Sequence, residues 1–181
     1  MARSSNHPHK PNARSGQSLL ETIIALSILV VALFSILDLL ARSFSLNRLA
    51  TNQTIAAYLA AEGIEVTKNI IDNDVYSASG NNWGVCCSSG DYTVDFGSTA
   101  LQPGNGGSTL YFDPVNGMYG YRSDLPAQDQ SKLVQSNFSR IIHITVPTST
   151  EIDVESIVTW SSGVFTNQTV TLEDHFYDWH P

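Results

Sequence analysis

Residues 14–41 read RSGQSLLETIIALSILVVALFSILDLLA and contain the longest apolar run of the chain. Between Leu19 and Ala41, 18 of the 23 positions are Ala, Val, Ile, Leu or Phe. At 1.5 Å per residue these positions make a helix of roughly 34 Å, which is enough to cross a hydrocarbon core of about 30 Å. No Pro or Gly lies between Gly16 and Gly63, so no helix-breaking residue interrupts the segment. The stretch therefore predicts a helix that can span a membrane.

Charge is distributed unevenly around this span. The chain has nine basic and 17 acidic residues, for a net charge of -8. Residues 1–16 contain three of the basic residues and no acid, so residues 17–181 carry six basic against 17 acidic side chains. The positive-inside rule then predicts a cytoplasmic head and an acidic body on the other side of the membrane. The acidic body also argues against nucleic-acid binding through a basic face.

The apolar stretch has three ordinary interpretations: a buried core helix, a cleaved secretory signal and a plain membrane anchor. A buried core helix would keep a polar stripe, which the 16 uncharged residues from Thr22 to Leu37 do not show. A cleaved secretory signal has a shorter apolar region of about 7–15 residues. A plain membrane anchor fits the length but leaves Glu21 unexplained. An acid within a membrane span costs about 2.5–3.5 kcal/mol at the centre and less near an end, which makes Glu21 a functional candidate.

Residues 14–26, RSGQSLLETIIAL, join the basic head to the apolar span. This junction resembles the type IV prepilin leader junction, which type IV pilins and the pseudopilins of type II secretion systems share. The resemblance implies a leader over 1–16, cleavage by a prepilin peptidase between Gly16 and Gln17, and N-methylation of Gln17. It also makes Glu21 the fifth residue of the mature chain, where that family has a Glu. The family usually has Phe at the first mature position, which is Gln17 here.

The spacing of Gln17 and Glu21 has a physical reading. Cleavage leaves a free ammonium group on Gln17, and Glu21 lies about one helical turn further on. Amine and carboxylate then lie at a similar membrane depth, where each needs a partner of opposite charge. Glu21 of one subunit can therefore pair with the amine of a neighbour and set the register of assembly. The filament-core helix is expected to present Leu19, Leu20, Ile23, Ile24, Leu26, Leu29, Val30 and Leu33.

Beyond the apolar span of 17–41, the pattern of apolar and polar residues changes twice. Residues 42–73 repeat apolar side chains at close to a 3.6-residue period, which predicts an amphipathic continuation of the helix. Gly63 is a local weakness of that helix, about 1 kcal/mol worse than Ala. Residues 74–181 show short alternating runs between Gly, Asn, Ser and Asp, which predict an extracytoplasmic β-rich domain. The resemblance implies an α+β fold in which the outer half of the helix packs against an antiparallel sheet.

Six short runs are predicted as strands because apolar and polar residues alternate in them. They are Tyr92–Phe96, Thr109–Phe112, Met118–Arg122, Phe138–Val146, Ile152–Trp160 and Gln168–Leu172. Residues 103–107 and 113–117 read as turns, and Trp160–Gly163 is expected to open a hairpin toward Val170 and Leu172.

Cys86 and Cys87 are adjacent in the sequence. The predicted compartment lies outside the cytoplasm, where disulfides form. Three states stay open: two unpaired thiols, a disulfide between the neighbours, or pairing with another chain.

The sequence predicts no metal centre, no cofactor and no catalytic machinery. His175, Asp178 and His180 would have to converge to hold a metal, and a solvated tail is the simpler interpretation. Residues 72–74 with Ser77 and Ser79 lack the Gly and the twelfth-position Glu of a calcium-binding EF-hand, which favours an acidic loop at the end of the helix. No nucleophile-elbow, phosphate-loop or zinc-protease motif occurs, so the chain is expected to be a substrate of the peptidase and not an enzyme.

These features together lead to an expected function. The resemblance implies a minor type IV pilin or a pseudopilin that is processed by a prepilin peptidase. Its expected partners are other pilins or pseudopilins and the inner-membrane assembly platform. It would lie in the inner membrane as a single-pass protein before assembly, and then in a surface pilus or a periplasmic pseudopilus. The alternative is a single-span anchored extracytoplasmic binding domain that does not assemble.

Overall fold

The computed structural model describes residues 14–77, 83–104, 108–122, 132–163 and 165–178. One α-helix and seven strands lie in these ranges. The helix, α1, runs from Arg14 to Ser77. The strands are β1 (Gly90–Thr93), β2 (Gln102–Pro103), β3 (Ser108–Asp113), β4 (Met118–Gly120), β5 (Val134–Thr148), β6 (Glu151–Ser162) and β7 (Phe165–Tyr177).

The predicted α+β fold is confirmed. The chain divides into two compact units, Met1–Leu46 and Asn47–Pro181, and α1 contributes residues to both. Within the second unit, the part of α1 that follows Leu46 packs on an antiparallel β-sheet. The helix continues past the predicted end near Asp72, because Ile70 and Ile71 are buried and Lys68 pairs with Asp72 at 2.9 Å.

Strand β5 is the centre of the sheet. One of its edges pairs with β6 over Phe138 to Thr148, and β6 pairs in turn with β7. The other edge is shared by two short strands: β3 covers the first half of β5 and β1 pairs at Ile142–Ile144. Strands β4 and β2 extend β3 and β1 outward.

Two apolar clusters fill the space between α1 and the sheet. The first contains Ala56, Leu59, Ala60, Leu110, Tyr121, Phe138, Val158 and Trp160. The second contains Ile70, Ile71, Cys87, Val94, Ile142, Ile144, Ile152 and Val154. Alternation along β6 explains the strand members, because Ile152, Val154 and Val158 are buried while Glu151, Asp153 and Glu155 are partly exposed on the other face.

A polar layer of buried side chains accompanies these apolar clusters. Arg140 is fully buried, and its guanidinium donates to the carbonyl oxygens of Leu59 (2.8 Å) and Val94 and pairs with Glu62 at 3.3 Å. Ser156 is also fully buried. Arg140 lies where the partner of β5 changes from β3 to β1, so it ties the helix to both halves of that edge.

Gly63 is a weak point of the helix by propensity, and the structure gives it a packing role. A Cβ atom at this position would lie 2.5 Å from the Ser156 Oγ and 2.8 Å from the Ile142 Cδ1. Contacts that short require these neighbouring side chains or the backbone to shift. Gly63 is therefore the residue that lets α1 approach the polar layer closely.

The strand predictions hold for position and fail mainly at the ends. β5, β6 and β7 are each longer than predicted, while β1 and the strand at Met118 are shorter at their C-terminal ends. Strand β2 falls partly in a segment predicted as a turn. The turn at 113–117 is confirmed: the Asp113 carboxylate accepts the Val115 N–H at 2.8 Å, and Gly117 adopts a φ of 71°.

Candidate functional site

The residues predicted for cleavage and for the register of assembly lie in the first unit. Gly16, Gln17 and Glu21 are all residues of α1, and all three are exposed. The large apolar side chains from Leu19 to Leu46 are exposed as well, with fractional exposures between 41% and 68%. Exposed apolar surface of this extent marks a surface that contacts a membrane or another protein.

Hydroxyl groups within the apolar segment are satisfied by the helix itself. Thr22 donates to the carbonyl oxygens of Ser18 (3.1 Å) and Leu19 (2.9 Å), and Ser35 donates to that of Val31 at 2.9 Å. Ser27 makes the same kind of bond to Ile23. Such bonds to the preceding turn hide the hydroxyl from an apolar surrounding. These four hydrogen bonds therefore suit a helix in lipid.

The two acids of the segment differ in their partners. Asp38 forms an ion pair with Arg42, one turn later, at 3.0 Å. The Glu21 carboxylate has no hydrogen bond or ion pair with any of the residues that the structure describes. An unpaired carboxylate in an apolar segment needs a partner from outside that segment.

The structure contains one helix that is long and apolar enough to cross a membrane, counted over the described residues. Its apolar window is unburied and lies near the N-terminus. The helix is thus consistent with single-pass membrane anchoring.

Cys86 and Cys87 form a disulfide between neighbouring residues. Cys87 is buried in the second apolar cluster, where Trp83 and Cys86 are partly buried neighbours. Of the three states left open by the sequence, the structure has the disulfide between neighbours.

A second group of polar side chains lies on the outer face of the β6–β7 hairpin, away from the helix. Asp153 and His175 are directly opposite each other in the ladder, and the His175 Nδ1 lies 2.6 Å from the Asp153 Oδ1. The same nitrogen lies 3.7 Å from the Glu151 Oε1. The hydrogen bond to Asp153, together with the charges of Asp153, Glu173 and Glu151, raises the pKa of His175 above its usual value.

The sequence predicts a solvated tail around His175, and that prediction is wrong. Strand β7 extends to Tyr177, and the Asp178 N–H donates to the Thr150 carbonyl at 2.9 Å. His180 lies outside the described residues. Part of this group was predictable from the sequence. Glu151 and Asp153 alternate with apolar residues in β6, so they lie on the polar face of the sheet together with the residues that pair with them on the next strand. The pairing register that selects His175 was not readable from the sequence.

The acidic segment at 72–74 is not a loop. Asp72, Asn73 and Asp74 belong to α1, which continues to Ser77. Ser79 lies outside the described residues. A loop arrangement of oxygen ligands around residues 72–74 is therefore excluded by the helix.

Comparisons of the chain with protein-family models, curated proteins and solved structures gave no match.

Proposed function

We propose that the protein is a minor type IV pilin or pseudopilin: a precursor that a prepilin peptidase cleaves between Gly16 and Gln17, and that then assembles through α1. The observation that carries the proposal is the junction at residues 14–26 together with an exposed apolar segment that contains a single acid without a described partner, Glu21. Basic leader, Gly, an acid five residues later and a long apolar run each occur in many proteins. Their combination at this spacing is specific.

The proposal explains both the exposure and the lone acid. Before assembly, lipid covers the apolar segment of α1. In the filament, neighbouring copies of the same segment cover it, and Leu19, Ile23, Leu26 and the other side chains named above pack against them. The Gln17 amine released by cleavage gives the Glu21 carboxylate of a neighbour a partner of opposite charge, which sets the stagger between subunits.

The acidic β-rich body then faces away from the cytoplasm, as the charge distribution predicts. Its role in this scheme is to present a folded surface at the outside of the filament. The partners expected for the chain are the peptidase, other pilins or pseudopilins and the inner-membrane assembly platform.

Sequencing the mature N-terminus tests the proposal most directly. Coexpression with an active prepilin peptidase should give a product that begins at Gln17, because the small Gly16 lets the backbone enter the protease cleft. Coexpression with an inactive peptidase, and a Gly16→Val variant with the active enzyme, should both leave residues 1–16 in place. The mass of the N-terminal peptide also reports whether Gln17 is methylated.

A product that retains Met1, or that begins anywhere other than Gln17, would contradict the proposal. Retention of the basic head in a membrane-inserted chain would favour the alternative, a single-span anchored binding domain that does not assemble.

A further inference from the structure

We propose that the outer face of the β6–β7 hairpin binds a divalent transition-metal ion through His175, Asp153 and Glu151. One ligand atom from each of these side chains lies within 4.8 Å of the other two, and this is the one such group among the described residues. Nothing in the pilin interpretation requires or uses this site. The inference is thus independent of cleavage at Gly16.

The donor set matches the chemistry of such ions. One imidazole nitrogen with two carboxylate oxygens suits borderline cations such as Zn²⁺, which bind nitrogen and oxygen at about 2.0–2.2 Å. Ligands of a tetrahedral ion with such bonds are about 3.3–3.5 Å apart. The His175 Nδ1 lies 2.6 Å from Asp153 and 3.7 Å from Glu151, so small side-chain rotations bring both oxygens to that spacing.

Backbone pairing holds the three ligands on one rigid element. Glu151 and Asp153 are two residues apart on β6 and therefore point to the same face. Asp153 pairs with His175 and Glu151 pairs with Tyr177 in the β6–β7 ladder. The Tyr177 hydroxyl donates to the Glu151 Oε1 at 2.9 Å, which orients that carboxylate as an outer-shell partner would.

The charge around the ligands favours a cation. Glu155 and Glu173 are paired directly across β6 and β7, an arrangement of like charges that destabilises a sheet without compensation. The His175 Nε2 lies 3.5 Å from the Glu173 Oε1, so a third carboxylate borders the same imidazole. A bound divalent ion would offset this excess of negative charge.

Access to the site is open. The His175 side chain is 45% exposed, and the Glu173 side chain beside it is 51% exposed. Water can therefore complete the coordination of an ion that has three protein ligands.

The chain offers a matched control on the same face of the sheet. His143 Nδ1 lies 2.6 Å from Asp91 Oδ1, which is the distance found for His175 and Asp153. His143 and Asp91 are not part of a group of three potential ligands among the described residues. A short histidine–carboxylate contact is thus present at both places, and within the described parts of the chain the third potential ligand accompanies the His175 pair alone.

Calorimetric titration of the full-length, untagged chain in detergent with Zn²⁺ alone tests the proposal. We expect one saturable site that His175→Gln or Asp153→Asn weakens by at least about tenfold. Glu151→Gln should weaken it as well, whereas His143→Gln should leave the affinity within about twofold. Far-UV circular dichroism of every variant checks that the sheet is intact.

Three results would overturn the proposal. The first is the absence of Zn²⁺ binding to a folded chain. The second is binding that His175→Gln leaves unchanged, which would place the ion on other histidines. Loss of affinity in the His143→Gln variant to the same degree would also contradict it, because the three-ligand group would then have no special role.

Discussion

Gly63 has no side chain, and this allows α1 to pack closely against the sheet in the second unit. It faces the buried Ser156 and the Ile142 side chain, at the point where Arg140 also crosses from the sheet to the helix. A glycine in a helix interior costs about 1 kcal/mol relative to Ala when it is considered alone. At this position the close approach of α1 to the sheet outweighs that cost. Helix propensity therefore predicts that Gly63 destabilises the protein relative to Ala, whereas packing predicts that it stabilises the protein.

Gly63→Ala should lower the free energy of unfolding by about 1–3 kcal/mol, because the new Cβ overpacks the polar layer. Denaturant unfolding of the detergent-solubilised chain, followed by circular dichroism, measures the change. Asn69→Ala, at an exposed position of the same helix, is the control and should be neutral or slightly stabilising. Ser156→Ala in the Gly63→Ala background should recover part of the loss. A Gly63→Ala chain more stable than the parent would show that helix propensity dominates here.

Arg140 is the second residue-scale feature of this layer. Its position in β5 alternates in phase with Phe138, Ile142 and Ile144, so the sequence pattern assigns it to the buried face. Two backbone carbonyl oxygens and the partly exposed Glu62 satisfy most of its guanidinium, although its Nε atom has no hydrogen-bond partner in the described parts of the chain. The fixed fork of a guanidinium can reach all three acceptors at once, which a lysine ammonium cannot do with the same geometry.

Helix α1 contains two kinds of surface in one element. Before Leu46 its large apolar side chains are exposed, and after Leu46 one face is buried by the sheet through Ala56, Leu59 and Ala60. Backbone hydrogen bonding is continuous from Arg14 to Ser77, so the difference comes from the side chains alone. The first part of the element is therefore available for lipid or for other subunits.

Glu21→Ala should permit cleavage at Gly16 and reduce incorporation into filaments by at least about tenfold, because the neighbour's amine loses its partner in an apolar surrounding. Immunoblotting of sheared filament fractions against whole-cell levels measures incorporation. Asp38→Ala is the matched control: Asp38 lies in the same apolar segment but pairs with Arg42 within its own helix. We expect its effect on incorporation to be smaller. Normal incorporation of the Glu21→Ala variant would contradict the hypothesis that Glu21 sets the register between subunits.

On the scale of the whole molecule, the folding core belongs to the second unit. Every member of both apolar clusters lies between Ala56 and Trp160. The first unit contributes apolar side chains that stay exposed. The free energy that stabilises the fold is therefore expected to come from residues after Leu46.

A fragment that begins at Asn47 should be soluble without detergent and should unfold cooperatively. Size-exclusion chromatography and thermal circular dichroism measure both properties. A fragment that begins at Ile64 removes Ala56, Leu59 and Ala60 from the first cluster, and it should fail to fold. An aggregated or unfolded Asn47 fragment would mean that the first unit contributes to the stability of the second.

Much of the fold was predictable because its signals are local. The apolar span, the continuing helix, the positions of the strands and the hairpin after Trp160 all follow from periodicity and turn residues close to one another in the chain. Their ends were less accurate, since β7 and α1 run on where partners bury them. The proposed cleavage and register site stays a prediction from the sequence: Gly16, Gln17 and Glu21 are neighbours in the chain, so their spacing needs no tertiary information.

Local patterns in the sequence predict an apolar helix that carries the acids Glu21 and Asp38, followed by a sheet with one buried face. No local pattern predicts that Gly63 meets Ser156, that Arg140 binds the carbonyl oxygens of Leu59 and Val94, or that His175 faces Asp153. The physical reason is the range of the interactions. Helix and strand periods act over a few residues, whereas pairing register and helix-to-sheet distance depend on how distant segments pack together.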